Sequence, residues 1–351
     1  WGGASRLLVS GLSSVAGRNG RPSGAAFGAP AASSVGSGRP LHMFPPVVPP
    51  EMPSAVIAAK EQVISPKDQV LDGVAEGRVV ERETWRRTPF EMRDLALMEL
   101  LRAKPGIDGY ISDKVDGDQV EVLRTKEDGA IDLGKRFSQL QRSSRGKTPF
   151  MPFEESLPIL ADILRGVESL DSKNVVHLDL TGDSAIVLVP DADGQKHALI
   201  RELGKSACIE KGGDKGLSCK NFDDRRVGSA ARFAPEPVGT TNNMWQVGLI
   251  FAKMCLGEYP TDKVLSEFVK GPELKRLDET QSGRWRAQEV LREKFAISEL
   301  DPALAEKYPD AAGLLEGMLQ PDPRQRLTPA AALKETAALM AKYTVEGKAA
   351  A

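Results

Sequence analysis

Three histidines, three cysteines and a missing glycine turn bound the chemistry open to this 351-residue chain. His42, His177 and His197 have no cysteine or carboxylate at zinc-ligand spacing, so metal-assisted hydrolysis is a poor reading. Phosphate groups are cradled by glycine-rich loops, yet no G-x-G-x-x-G occurs. Gly36 and Gly38 are the only glycines two positions apart, and Leu41 stands where the third should be. Cys208 and Cys219 flank the loop "CIEKGGDKGLSC", short enough to close as a disulfide in an oxidising compartment. In a reducing one, both stay loop thiols. Cys255 falls in an apolar helical pattern and reads as a buried thiol.

Behind these residues stands an ordinary globular composition. Apolar residues make up 41% and charged residues 27%, which excludes wholesale disorder. A formal charge of -2 gives no case for nucleic acid as a partner. No stretch approaches the roughly 18 apolar residues of a membrane span; "GLIFAKMCLG" is short and carries Lys253. The first fifty residues hold four arginines, no acid, nine glycines and seven prolines. Such a segment cannot bury enough apolar surface to offset its chain entropy, so residues 1–54 are expected to form a disordered basic arm. A start at Trp1 rather than Met fits a processed, secreted form. The arm could also serve as a polyanion-binding tail.

The elements that must position a site begin near residue 55. "GRVVERETW" reads as a strand. "TPFEMRDLALMELLRA" follows as a helix, with Thr88 as cap, Pro89 at its first position and Leu95, Met98 and Leu101 on one face. "GYISDKV" and "QVEVLRTK" are strands joined at Asp116-Gly117-Asp118. After "IDLGKRFSQL", a short helix, a long one is expected from Glu154 to Leu170, where Leu160, Ile163, Leu164 and Val167 keep the 3.6-residue period. "AIVLV" and "KHALIRE" form a hairpin, and everything past residue 240 reads helical. A small sheet with one helix, then a helix-rich half, is a two-lobed α+β arrangement.

Four strings in order give this arrangement an identity. "HLDLTGDS" resembles the protein-kinase catalytic loop, "RFAPEP" the APE motif, "NNMWQVG" the D-x-W-x-x-G helix start, and "DPRQRLTP" the closing Arg. The resemblance covers residues 75–345 and implies a kinase fold, with an N-lobe over 55–125 and a helical C-lobe over 126–345. It also implies that Glu236 pairs with Arg326, with Trp245 and Gly248 as structural positions.

By the same resemblance the chemistry is degraded. Phosphoryl transfer needs a phosphate cover, a strand Lys, a helix Glu and metal ligands. Here the strand-Lys position holds Arg82, and the helix acid is Glu91 or Glu99. Beside His177, Asp179 survives as the base. The HRD Arg is Leu178, the phosphate-facing Lys is Thr181 and the metal Asn is Ser184. The DFG Asp is Glu202, with Gly204 kept, and Asp183 is the one acid placed to compensate. A kinase lacking the Gly-rich loop resembles the secreted apicomplexan "with no Gly-loop" family, above all its bradyzoite, cyst-wall pseudokinase branch. That implies a secreted, inactive scaffold or regulator in the parasite vacuole or cyst wall. It would bind no cofactor and would act on a protein partner, such as a secreted kinase or its substrate. The alternative is a divergent active Ser/Thr kinase that works without the loop.

Overall fold

The computed structural model describes residues 79–126, 129–143, 150–181, 184–209, 229–296 and 302–350. The expected basic arm, the segment replacing the Gly-rich loop, and Cys219 lie outside them, so the Cys208–Cys219 pairing does as well.

The first lobe is a three-stranded antiparallel sheet crossed by one helix. Strands β1 (Val79–Arg86), β2 (Tyr110–Asp116) and β3 (Gln119–Lys126) stack in the order β1-β3-β2. Helix α1 (Pro89–Leu100) starts where expected, because Thr88 Oγ1 accepts the Glu91 N–H (3.3 Å). Its Leu95, Leu97 and Met98 join Val120 and Val122 in the core.

The loop after α1 fastens this lobe to the next. Gly106 and Gly166 meet backbone to backbone: a Cβ on Gly106 would lie 2.5 Å from Gly166 N, and φ at Gly106 is +71°. From there the Ile200 N–H donates to Gly106 O (2.8 Å) and the Asp108 N–H to Ile200 O (2.9 Å).

The second lobe is built on two buried helices. β4 (Ile131–Asp132) leads into α2 (Leu133–Ser143), so Asp132 of the "DLG" string is a strand residue rather than part of the helix. α3 (Phe153–Ser172) packs its apolar stripe inward. Beyond β5 (Val175–Val176), the hairpin β6 (Ile186–Pro190) and β7 (Lys196–Ile200) completes a sheet ordered β4-β6-β7, and β8 (Ala207–Cys208) pairs with β5. α4 (Thr241–Leu256) is apolar on nearly every side and buried throughout its middle. Gly248 has no room for a side chain there, since a Cβ would meet Leu319 Cδ2 at 2.8 Å. Around α4 lie α5 (Pro260–Phe268), α6 (Pro272–Lys275), α7 (Gln281–Lys294), α8 (Pro302–Lys307), α9 (Pro309–Met318) and α10 (Pro329–Ala350).

Candidate active site

After β5 the chain enters the segment His177–Thr181, and helix α4 holds it by its backbone. The His177 N–H donates to Asn243 Oδ1 (3.0 Å), and Asn243 Nδ2 donates to Val175 O and Asp171 Oδ1, each at 2.9 Å. One turn on, Gln246 Nε2 donates to Leu178 O and Gln246 Oε1 accepts the Leu180 N–H, both at 3.1 Å. Two amides at i and i+3 thus grip the loop from one helix face. The grip has a cost to offset: Leu178 sits at φ 68°, a left-handed conformation that disfavours side-chain-bearing residues by about 1–2 kcal/mol. The Leu178 side chain is buried, and with Val176, Ile209 and Phe233 it forms a second small core where an HRD Arg would reach for a phosphate. His177 is wholly buried with Nε2 2.8 Å from Arg201 O, and burial holds its imidazole below the ordinary pKa.

Asp179, fixed by this grip, is already partnered. Its carboxylate pairs with the ammonium of Lys205, the last residue of a 3₁₀ turn at Leu203–Lys205. Thr181 brings no charge; its carbonyl accepts from the Tyr259 hydroxyl (3.2 Å). The Ser184 carbonyl accepts from Arg201 Nε (2.8 Å). Glu202 is exposed at φ 60°, ψ 51°, with no ion-pair partner among the described residues, and Gly204 is buried in the turn behind it. Asp183 lies outside the described residues. Kinases hold Mg²⁺ with an Asp and an Asn. The donor set here is a neutral serine and a longer carboxylate, and no described cluster of three or more His, Cys, Asp or Glu can hold a metal. Those two described groups by themselves do not complete an octahedral Mg²⁺ site.

The N-lobe half of the cleft is rearranged. Arg82 points away from α1, pairing at the surface with Glu121 (2.9 Å), its side chain 68% exposed. Strand alternation explains this: residues 83 and 85 share the face of Val120 and Val122, and 82 takes the other. On the inner face the cation is Arg124 of β3, which lies 3.2 Å from Asp108, 3.6 Å from Glu83 and 4.8 Å from the Trp85 ring centroid.

Of the two acids expected on α1, Glu91 is half-buried and Glu99 is exposed. Asp94 is the buried acid of α1, on the helix that packs against the turn at Leu203–Lys205. Desolvation raises its pKa to about 6 against the pull of Arg124. Asp94, Arg124, Lys205 and Gln246 carry no motif signature in one sequence, whereas Asn243 stands at the Asp position of the D-x-W-x-x-G string.

Far from the cleft, Glu236 and Arg326 meet in a bidentate pair at 2.5 and 2.9 Å. Arg326 also donates to Thr241 O (2.9 Å) and Gln320 O (2.7 and 2.9 Å), and its guanidinium lies 5.2 Å from the centroid of the fully buried Trp245 ring. Arg292 and Gln288 of α7 bind the carbonyls of Pro235 and Ala234.

The protein kinase domain family matches residues 134–337, more than half of the chain. Among curated proteins, serine/threonine-protein kinase 16 of Rattus norvegicus is 28% identical over 196 residues, 51% of this chain and 61% of that protein. Its counterpart in Mus musculus is 26% identical over 212 residues, 56% of this chain and 66% of that protein. The chain therefore spans less than two thirds of these relatives' length.

Proposed function

Because the chain belongs to the protein kinase domain family, we propose that it is a catalytically deficient member that works by binding another protein. One observation carries this reading: the carboxylate at the base position, Asp179, is tied to Lys205. A kinase base accepts a proton from the substrate hydroxyl while cations elsewhere neutralise the phosphoryl oxygens. Here a cation of the cleft, Lys205, is engaged by the base itself. Thr181 and Ser184 supply no charge, and the exposed Glu202 carboxylate has no ion-pair partner among the described residues. Each lost preorganised contact costs on the order of tenfold to a thousandfold in rate, so little transfer survives their combined loss.

The test is labelled-phosphate transfer from ATP, with Mg²⁺ or Mn²⁺, to a mixed Ser/Thr peptide library. Parent and Asp179→Asn are expected to give the same background. Transfer by the parent that disappears in Asp179→Asn would establish the alternative, an active kinase without a Gly-rich loop.

The narrower setting belongs to the same proposal: a secreted protein of the parasite vacuole or cyst wall, with Cys208 and Cys219 joined. It rests on the missing glycine loop and the basic, Gly/Pro-rich arm. Immunostaining with non-reducing peptide mapping checks it; a cytosolic signal with both thiols reduced counts against it.

A further inference from the structure

The floor of the cleft is the sheet β4-β6-β7, and its two faces differ. On one face Ile186, Leu188, Ala198 and Ile200 are buried toward α3, where Ile200 lies against Gly166. Register puts Asp132 opposite Val187 and Val187 opposite Leu199. Side chains alternate along a strand, so Asp132, Ala185, Val187 and Arg201 share the other face, beside Ser184 and Glu202. Arg201 donates from Nε to Ser184 O (2.8 Å) and from Nη2 to the Asp132 carboxylate. To do so it crosses β6 from one outer strand to the other, about 9.5 Å at ordinary strand spacing. Its path runs between Ala185 and Val187, which are only 1% and 6% exposed.

We propose that Arg201 is a built-in occupant of this floor, held by Asp132, and that it excludes a nucleoside from the cleft. A guanidinium is flat, delocalised and hydrogen-bonding at its rim, as a purine is, and it can cover the same apolar surface. The carboxylate of Asp132, the polar group at the far edge of the floor that could accept hydroxyls from a ligand, is engaged by it. The inference rests on the reading of this cleft as catalytically deficient, yet it concerns binding rather than transfer. The pair is a latch rather than a wall, since the side chains of Arg201 and Asp132 are 28% and 39% exposed. Exposed pairs of this kind are weak and screened by salt.

The probe is a fluorescent adenosine without phosphates, titrated in metal-free buffer against the full chain. Arg201→Ala is expected to bind it at least tenfold more tightly than the parent. Asp132→Ala, which unties the guanidinium but leaves it in place, should give a smaller gain of the same sign. Equal binding by parent and Arg201→Ala, or none by either, overturns the proposal. If Arg201→Ala does not fold, Asp132→Ala decides alone: a gain supports the latch and no gain overturns it. Phosphate transfer by the parent would remove the deficient-kinase reading, and the parent-to-variant comparison of nucleoside binding would still be read.

Discussion

Two acid–base pairs, Glu236–Arg326 and Asp179–Lys205, show how differently the molecule treats its seat and its cleft. At the seat, the arginine side chain is 1% exposed and the glutamate 10%, and every lobe of the guanidinium has a carbonyl or carboxylate to meet. At the cleft, Lys205 is 36% exposed and makes one contact with an aspartate that is 15% exposed. Water can replace the second interaction and cannot reach the first. The seat is therefore a condition of folding. The cleft's charges are free to change without unfolding anything, so a kinase fold can persist while the charges of its cleft vary.

The comparison breaks most readily at the seat. Glu236→Ala leaves Arg326 charged and buried and takes away the Thr241 hydroxyl's acceptor (3.0 Å). Removing one partner of a buried pair costs about 3–5 kcal/mol, a large share of a domain's total. Chemical denaturation should show that loss, or no folded protein at all. A loss under 1 kcal/mol would mean that the seat is no more than a surface pair.

A middle-sized effect is expected beneath the cleft, at Asp171. Burial raises its pKa from 3.8 to about 6, although the Asn243 side chain donates to it. The folded state thus holds this proton more tightly than the unfolded one. The contribution to stability is present at acid pH and is lost as pH rises through about 6. Asn in its place still accepts from Asn243 and never ionises. Relative to the parent, Asp171→Asn should be more stable at pH 7.5 than at pH 4.5 by about 1–2 kcal/mol, partial exposure allowed for. Taking the difference cancels Asp94, which shifts the same way, and His177, which shifts the opposite way. A flat difference across that range would place Asp171 in solvent.

The smallest effect should come from the cleft pair itself. Lys205→Ala is expected to change stability by less than about 1 kcal/mol, as half-exposed pairs do. A melting curve that falls as far as that of Glu236→Ala would make the cleft as structural as the seat and would erase the contrast.

Much of this was legible without coordinates. The helix starting at Thr88-Pro89, the hairpin turn at Asp116-Gly117-Asp118 and the long helix over Phe153–Ser172 follow from local capping, turn chemistry and apolar period, which act within a few residues. Glu236 and Arg326 were nameable because both lie in motif strings. The burial of Asp94 was not, because it depends on which face of α1 meets the turn at Leu203.

The boundary between the two kinds of knowledge runs through the cleft. Residue types alone determined that no G-x-G-x-x-G is present and that Thr181, Ser184 and Glu202 stand where the kinase resemblance expects a cation and two metal ligands, since those are facts about chemical groups at motif positions. Only the tertiary structure decided which cation faces which acid. Lys205 meets Asp179 across 26 residues, Arg201 meets Asp132 across 69, and Arg124 rather than Arg82 lies under α1. Those pairings depend on strand register and on how a 3₁₀ turn aims one side chain. A one-residue slip sends a side chain to the opposite face of a sheet while leaving the sequence pattern unchanged.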